Sequence, residues 1–116
     1  MHDTGCVLVG EFQFGPEISF ERLTELEGIL KNAVMDLVAG LGADHLEFTA
    51  SGDALGYQSQ APGLDRASLA QACRFLIPFL DEGVKGRLVC VRWGLGDVDV
   101  IFFSRGGVEP VTTPSP

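Results

Sequence analysis

Residues 19–42, SFERLTELEGILKNAVMDLVAGLG, place apolar side chains at Phe20, Leu23, Leu26, Leu30, Val34, Leu37, Val38 and Leu41. Intervals of three and four bring these positions onto one stripe of an α-helix, so the stretch predicts a long helix with a continuous inner face. Ser19 stands where a side-chain oxygen caps the first turn, and Gly40 and Gly42 offer the permissive backbone that ends a helix. The period changes on both sides of this stretch. Upstream, Cys6 to Phe14 alternates with Cys6, Leu8, Phe12 and Phe14 on one side, and Gly15-Pro16 interrupts it. Downstream, His45 to Ala50 alternates again and meets the turn-forming Ser51-Gly52-Asp53. Leu55 to Ser59 returns from that turn as a short strand, or as a loop, because glycine weakens strand pairing.

A second helix starts after Pro62-Gly63, with Asp65 as cap, Leu64 and Leu69 as a hydrophobic staple, and Leu69, Cys73, Leu76 and Leu80 on one side. Pro78 removes an amide inside this pattern and shortens or kinks the last turn. Arg87–Trp93 and Val98–Phe103 read as two strands joined by the glycine-rich Gly94-Leu95-Gly96-Asp97, hence an antiparallel hairpin. The order is strand, helix, strand, strand, helix, strand, strand. Its expected form is an α+β fold in which two helices back a mostly antiparallel sheet of about five strands. The first six elements match a ferredoxin-like β-α-β-β-α-β unit, with an extra C-terminal strand. One domain over residues 1–110 and a flexible tail over 111–116 complete the expectation.

Charge is distributed unevenly along this chain of 116 residues. The first 64 carry ten carboxylates against Arg22 and Lys31, whereas the remainder balances six acids with six bases, for a net charge of −8. That balance disfavours direct nucleic-acid binding, which needs Lys and Arg against phosphates, and favours a protein partner with a basic surface. The uncharged apolar run Phe75 to Leu80 is far below the roughly 20 residues of a membrane helix, so no membrane association and a cytoplasmic location are expected. Cys6, Cys73 and Cys90 form no C-x-x-C pair and fit as reduced core thiols.

The carboxylates have a pattern of their own. A turn of about 100° per residue brings Glu21, Glu25 and Asp36, with Asn32, into one arc opposite the leucine stripe, and Glu17 joins them if the helix reaches back that far. This acidic rail, with Glu47 and Asp53 nearby, is the expected partner-binding surface. Met35 and Ile29 beside it would supply apolar affinity. The functional expectation is a small non-enzymatic interaction module. It would act as an inhibitor or decoy that occludes a basic surface of a nucleic-acid-handling protein, of the anti-defence, anti-CRISPR-like kind. No cofactor is called for. An enzyme is the alternative: Asp97 and Asp99 have the D-x-D form that can hold a divalent metal on one strand face, and His45 with Glu47 could transfer protons. The bland account of the first pair is a hairpin turn, with Asp99 in solvent or paired to Arg92. A third possibility is a homo-oligomeric small-ligand-binding domain. The valines at 7, 9, 98 and 100 and the phenylalanines at 12, 14, 102 and 103 exceed what two helices cover, so a homodimer through the open sheet face or the last strand is expected. Arg92, Trp93, Tyr57, Gln58 and Gln60 are candidates for a polar and aromatic patch on that face, with Trp93 in the core or at an oligomer contact.

Overall fold

The computed structural model describes residues 5–94 and 98–112. Its elements run β1 (Cys6–Phe14), α1 (Phe20–Leu41), β2 (Asp44–Ser51), β3 (Ala54–Ala61), α2 (Arg66–Leu76), a 3₁₀ turn (Ile77–Phe79), β4 (Val84–Arg92), β5 (Val98–Ser104) and β6 (Gly107–Thr112). Local chemistry sets the helix limits. The Ser19 side chain accepts from the Arg22 amide and the Asp65 side chain from the Ser68 amide, while Gly42 closes α1 at φ 71°. Pro78 lies in the 3₁₀ turn directly after α2, where its missing N–H breaks the α-helical ladder.

All strands join one antiparallel sheet in the order β2-β3-β1-β4-β5-β6. The fold is therefore α+β, with two helices and six strands rather than the expected five. The additional strand is β6, which pairs Gly107–Thr112 with Ser104–Asp99 through a tight turn at Arg105-Gly106. Glu109 and Pro110 disguise it in the sequence, and the expected domain limit at residue 110 falls inside it; residues 113–116 lie outside the described residues. The uncertain stretch after the β2–β3 turn is a full strand, because Gly56 is paired on both sides, to Glu11 and Thr49. Among the described residues no helix is long and apolar enough to cross a membrane.

The core fills the space between the helices and one sheet face. Leu26, Leu30, Val34, Leu69, Cys73 and Leu76 from the helices meet Cys6, Leu8, Phe12, Leu55, Val84 and Leu88 from the sheet, all almost wholly buried. Phe20, assigned to the stripe by periodicity, is instead 81% exposed at the first residue of the helix. Aromatic rings occupy the middle of this layer in a specific way. Phe12 lies 5.8 Å from Tyr57 and 6.1 Å, edge-on, from Phe103. Tyr57 stands opposite Gly10 and Phe103 opposite Gly86 in the ladders. A Cβ at Gly10 would come 2.0 Å from Tyr57 Cζ, and one at Gly86 would come 2.2 Å from Phe103 Cζ. The two glycines are thus the floor on which the rings rest. Tyr57 therefore belongs to the core and not to the open face, and its hydroxyl is buried without a hydrogen-bond partner among the described residues.

The three cysteines are free and buried, as their apolar settings imply. Burial pushes the Cys73 and Cys90 thiols up to about 12 from an ordinary 9.0. In the native protein these two thiols are expected to react with Ellman's reagent at pH 8 at least about 100-fold more slowly than in urea, because reaction must await opening. Both thiols stay neutral when folded, so their contribution to stability is intact below pH 9 and is lost between pH 9 and 12 as the unfolded thiols ionise. Native modification of Cys73 or Cys90 at the free-thiol rate would contradict the burial.

Candidate functional site

A helix that buries one stripe must turn the opposite one outward, and α1 turns out Glu21, Glu25, Asn32 and Asp36, all exposed. Met35 lies beside them, 46% exposed. Arg22 on the helix flank is committed elsewhere, donating 2.7 and 2.8 Å bonds to both Asp81 oxygens and only a 3.5 Å contact to Glu25. Arg22 holds the Asp81 carboxyl below its usual range, which keeps that bidentate pair charged. Among the described residues no base of the second half forms an ion pair with an α1 carboxylate. Arg66 and Arg92 bind Asp99 and Arg87 binds Glu11, and among the described residues Glu21 and Asp36 stand outside every ion pair.

The remaining rail candidates lie elsewhere. Glu17 precedes the helix and folds its carboxylate over Gly15 and Gly83, so close that a Cβ on Gly83 would meet its Oε1 at 2.0 Å. Asp53 is exposed in the β2–β3 turn, where its carbonyl accepts from the Phe14 amide at 2.8 Å. Glu47 pairs with Gln58 in the ladder and points, like Gln58, away from the helices. One patch therefore gathers Glu21, Glu25 and Asp36, with Glu17 near its start. Glu47 and Asp53 are on the opposite face and at the sheet end.

Sequence periodicity missed a cleft beside this patch. Asp36, Leu37, Gly40, Leu41, Ser68, Gln71, Ala72 and Phe75 line about 340 Å³ between α1 and α2. Phe75 is 42% exposed and its ring lies 5.8 Å from that of Phe79. The available signal was Phe75 itself, an aromatic residue off the Leu69-Cys73-Leu76 stripe; its apposition to Asp36 needed the helix packing. A wider depression of about 470 Å³ lies near the β5–β6 turn, between Lys85, Phe102 and Glu109.

The candidates for bond-making chemistry are dispersed. Asp99 is 3% exposed, with Oδ1 3.1 Å from Arg66 Nε and Oδ2 2.6 Å from Arg92 Nη1, while Arg92 Nη2 donates to the Leu64 carbonyl at 2.6 Å. A carboxylate filled by two guanidiniums is an ion-pair staple that ties the start of α2 to β4 and β5. It also takes Arg92 out of the open-face patch. Asp97 lies outside the described residues. Among those described, no three His, Cys, Asp or Glu side chains are placed to hold a metal ion. His45 is exposed at φ 55°, in a register shift between Asp44 and Glu47 that breaks the alternation expected to align it with Glu47.

Among the described residues no helix covers the second sheet face. Across it, Val7, Val91 and Val98 form one cross-strand row, and Val9, Val89 and Val100 form the next. Trp93 and Phe102 flank these six valines at opposite ends, 42% and 44% exposed; Trp93 is thus not a core residue. Gln58 and Gln60 border the block on β3, and Arg87 with Glu11, 2.8 Å apart, on its Phe102 side. The chain matches no family model, no curated protein and no solved structure.

Proposed function

We propose that this protein is a non-enzymatic interaction module that presents the outer face of α1 to a basic surface of another protein and blocks it. The observation that carries this reading is the segregation of charge: Glu21, Glu25 and Asp36 are exposed on one helix face, Glu21 and Asp36 form no ion pair among the described residues, and Arg22, Arg66, Arg87 and Arg92 are engaged chiefly with Asp81, Asp99 and Glu11. Long-range attraction would guide encounter. The α1–α2 cleft would then seat an apolar or long basic side chain between Asp36 and Phe75, and burial there would supply much of the affinity. A nucleic-acid-handling protein is the natural owner of such a surface, and occlusion by a decoy is the mechanism that needs no catalytic group. The order β2-β3-β1-β4, with helices after β1 and β3, supports reading the scaffold as a ferredoxin-like split βαβ unit extended by β5 and β6.

The test is double charge reversal. A partner captured on the immobilised protein and then purified is expected to bind the Glu21→Lys/Glu25→Lys variant at least about 10-fold more weakly, mainly through slower association, and with a flatter salt dependence. Equal affinity in that variant would remove α1 from the interface.

A further inference from the structure

We propose that the valine face of the sheet is the interface of a homodimer, built by a two-fold axis that lies between the stacked sheets and runs across the strands. The apolar block has two rows of three valines, and an axis midway between the rows lays Val7 of one protomer over Val9 of the other, Val91 over Val89 and Val98 over Val100. An isologous contact requires such self-complementarity, and this patch has it without any rearrangement.

The same operation acts on the flanks. Along β4 it exchanges the positions of Trp93 and Arg87, which sit one step beyond the valine rows on either side. Each indole then meets the partner's guanidinium, a favoured cation–aromatic pairing that also covers an exposed ring. Along β3 it brings Gln58 over Gln60, two uncharged amides able to hydrogen-bond. The axis parallel to the strands and centred on β4 also superposes valines, but it sets Arg87 against its own copy, and like charges there oppose association.

Area and charge agree with this choice. Strands about 4.8 Å apart and nine-residue spans of about 30 Å give the five strands β2 to β5 a plan area of about 700 Å², close to the roughly 800 Å² per partner of a standard stable interface. The six-valine block holds no charge, its neighbouring pair, Glu11 with Arg87, is internally neutral, and Glu47, the open-face carboxylate of β2, lies two strands from the nearest valine. The uncompensated carboxylates of α1 occupy the other side of the sheet, beyond the helix layer. Dimerisation therefore leaves both acidic helices facing outward, and added salt weakens the repulsion between the two net-negative protomers.

The chain contains a single tryptophan, so Trp93 reports on the interface directly. In analytical ultracentrifugation from 1 to 200 µM the wild type is expected to reach twice the chain mass of 12.4 kDa. Trp93 emission should shift to shorter wavelength over the same range, and the dissociation constant should stay level or fall between 50 and 500 mM NaCl. Val9→Lys/Val91→Lys, at two sites 38% and 39% exposed, is expected to raise the dissociation constant more than 100-fold while the far-ultraviolet circular dichroism and urea midpoint of the monomer persist. Val9→Thr/Val91→Thr provides the milder variant should the lysines prevent folding, with an expected rise of about 10-fold. Glu21→Lys/Glu25→Lys should leave the dimer intact, which separates this test from that of the acidic face. A monomer at 200 µM would overturn the proposal and assign the face to another occupant. A dimer insensitive to both valine variants, or one that dissociates as salt is added, would overturn it as well.

Discussion

Asp99→Ala is expected to lose about 3 kcal/mol of folding stability in urea denaturation, the low end of what removing one partner from a buried ion pair costs. Asp99 is 3% exposed and both its oxygens are occupied, so its removal takes from Arg92, at 25% side-chain exposure, the carboxylate it binds at 2.6 Å and leaves a cavity in the buried layer. Arg66 behaves differently: its side chain is 61% exposed and can turn to water. Arg66→Ala should therefore cost less than about 1 kcal/mol, and the contrast between the two substitutions is the diagnostic result. Because Arg92 also binds the Leu64 carbonyl one residue before the Asp65 cap, Asp99→Ala should speed hydrogen exchange in the first turn of α2 before it affects α1. A loss below 1 kcal/mol for Asp99→Ala would mean that the carboxylate is not what anchors α2 to β4 and β5.

Gly10→Ala is the second substitution of large expected effect, about 3 kcal/mol, at the upper end of the range for overpacking a filled core. Alanine is the mildest side chain available, yet its methyl would fall 2.0 Å from the Tyr57 ring carbon that bears the hydroxyl. Tyr57 cannot retreat freely, because Phe12 stands against it and Phe103 against Phe12. Coupling provides the check. In a double-mutant cycle with Tyr57→Ala, the added cost of Gly10→Ala should shrink to below about 1 kcal/mol, since the ring it strikes is gone. Additive losses would show that Gly10 is required for backbone reasons and not as a seat for the ring. Gly28→Ala in the exposed flank of α1, where nothing lies within 4 Å of the added methyl, is the control and should stabilise by up to about 1 kcal/mol.

Much of the fold follows from patterns that span fewer than 25 residues. The alternation of β1, the stripe of α1, the caps at Ser19 and Asp65, the break at Pro78 and the hairpin of β4 and β5 each depend on neighbours in sequence, and each appears where its local chemistry places it. β6 escaped this kind of reading because Glu109 and Pro110 interrupt an apolar pattern, while its pairing depends on β5 across a turn. The interaction surfaces divide in the same manner. Periodicity suffices to gather Glu21, Glu25 and Asp36, for all three ride on one helix.

Glu47 is different, because strand parity commits it to a face and only the stacking of helices on the other face puts it opposite α1. Asp99 reads either as a solvent-facing acid or as the partner of Arg92; the pairing holds, whereas its burial and its second arginine, Arg66, arise from the packing of α2 over β5, 33 residues away in sequence. The sequence thus determines element type, helix limits and the acidity of α1 through interactions between residues within a few turns of each other. Tertiary structure decides which residues meet across strands and layers: the aromatic rings on Gly10 and Gly86, the Asp99 staple, the cleft between Asp36 and Phe75, and the two aligned valine rows. Those outcomes depend on register and on which face the helices cover, quantities set by the packing of the whole chain at once.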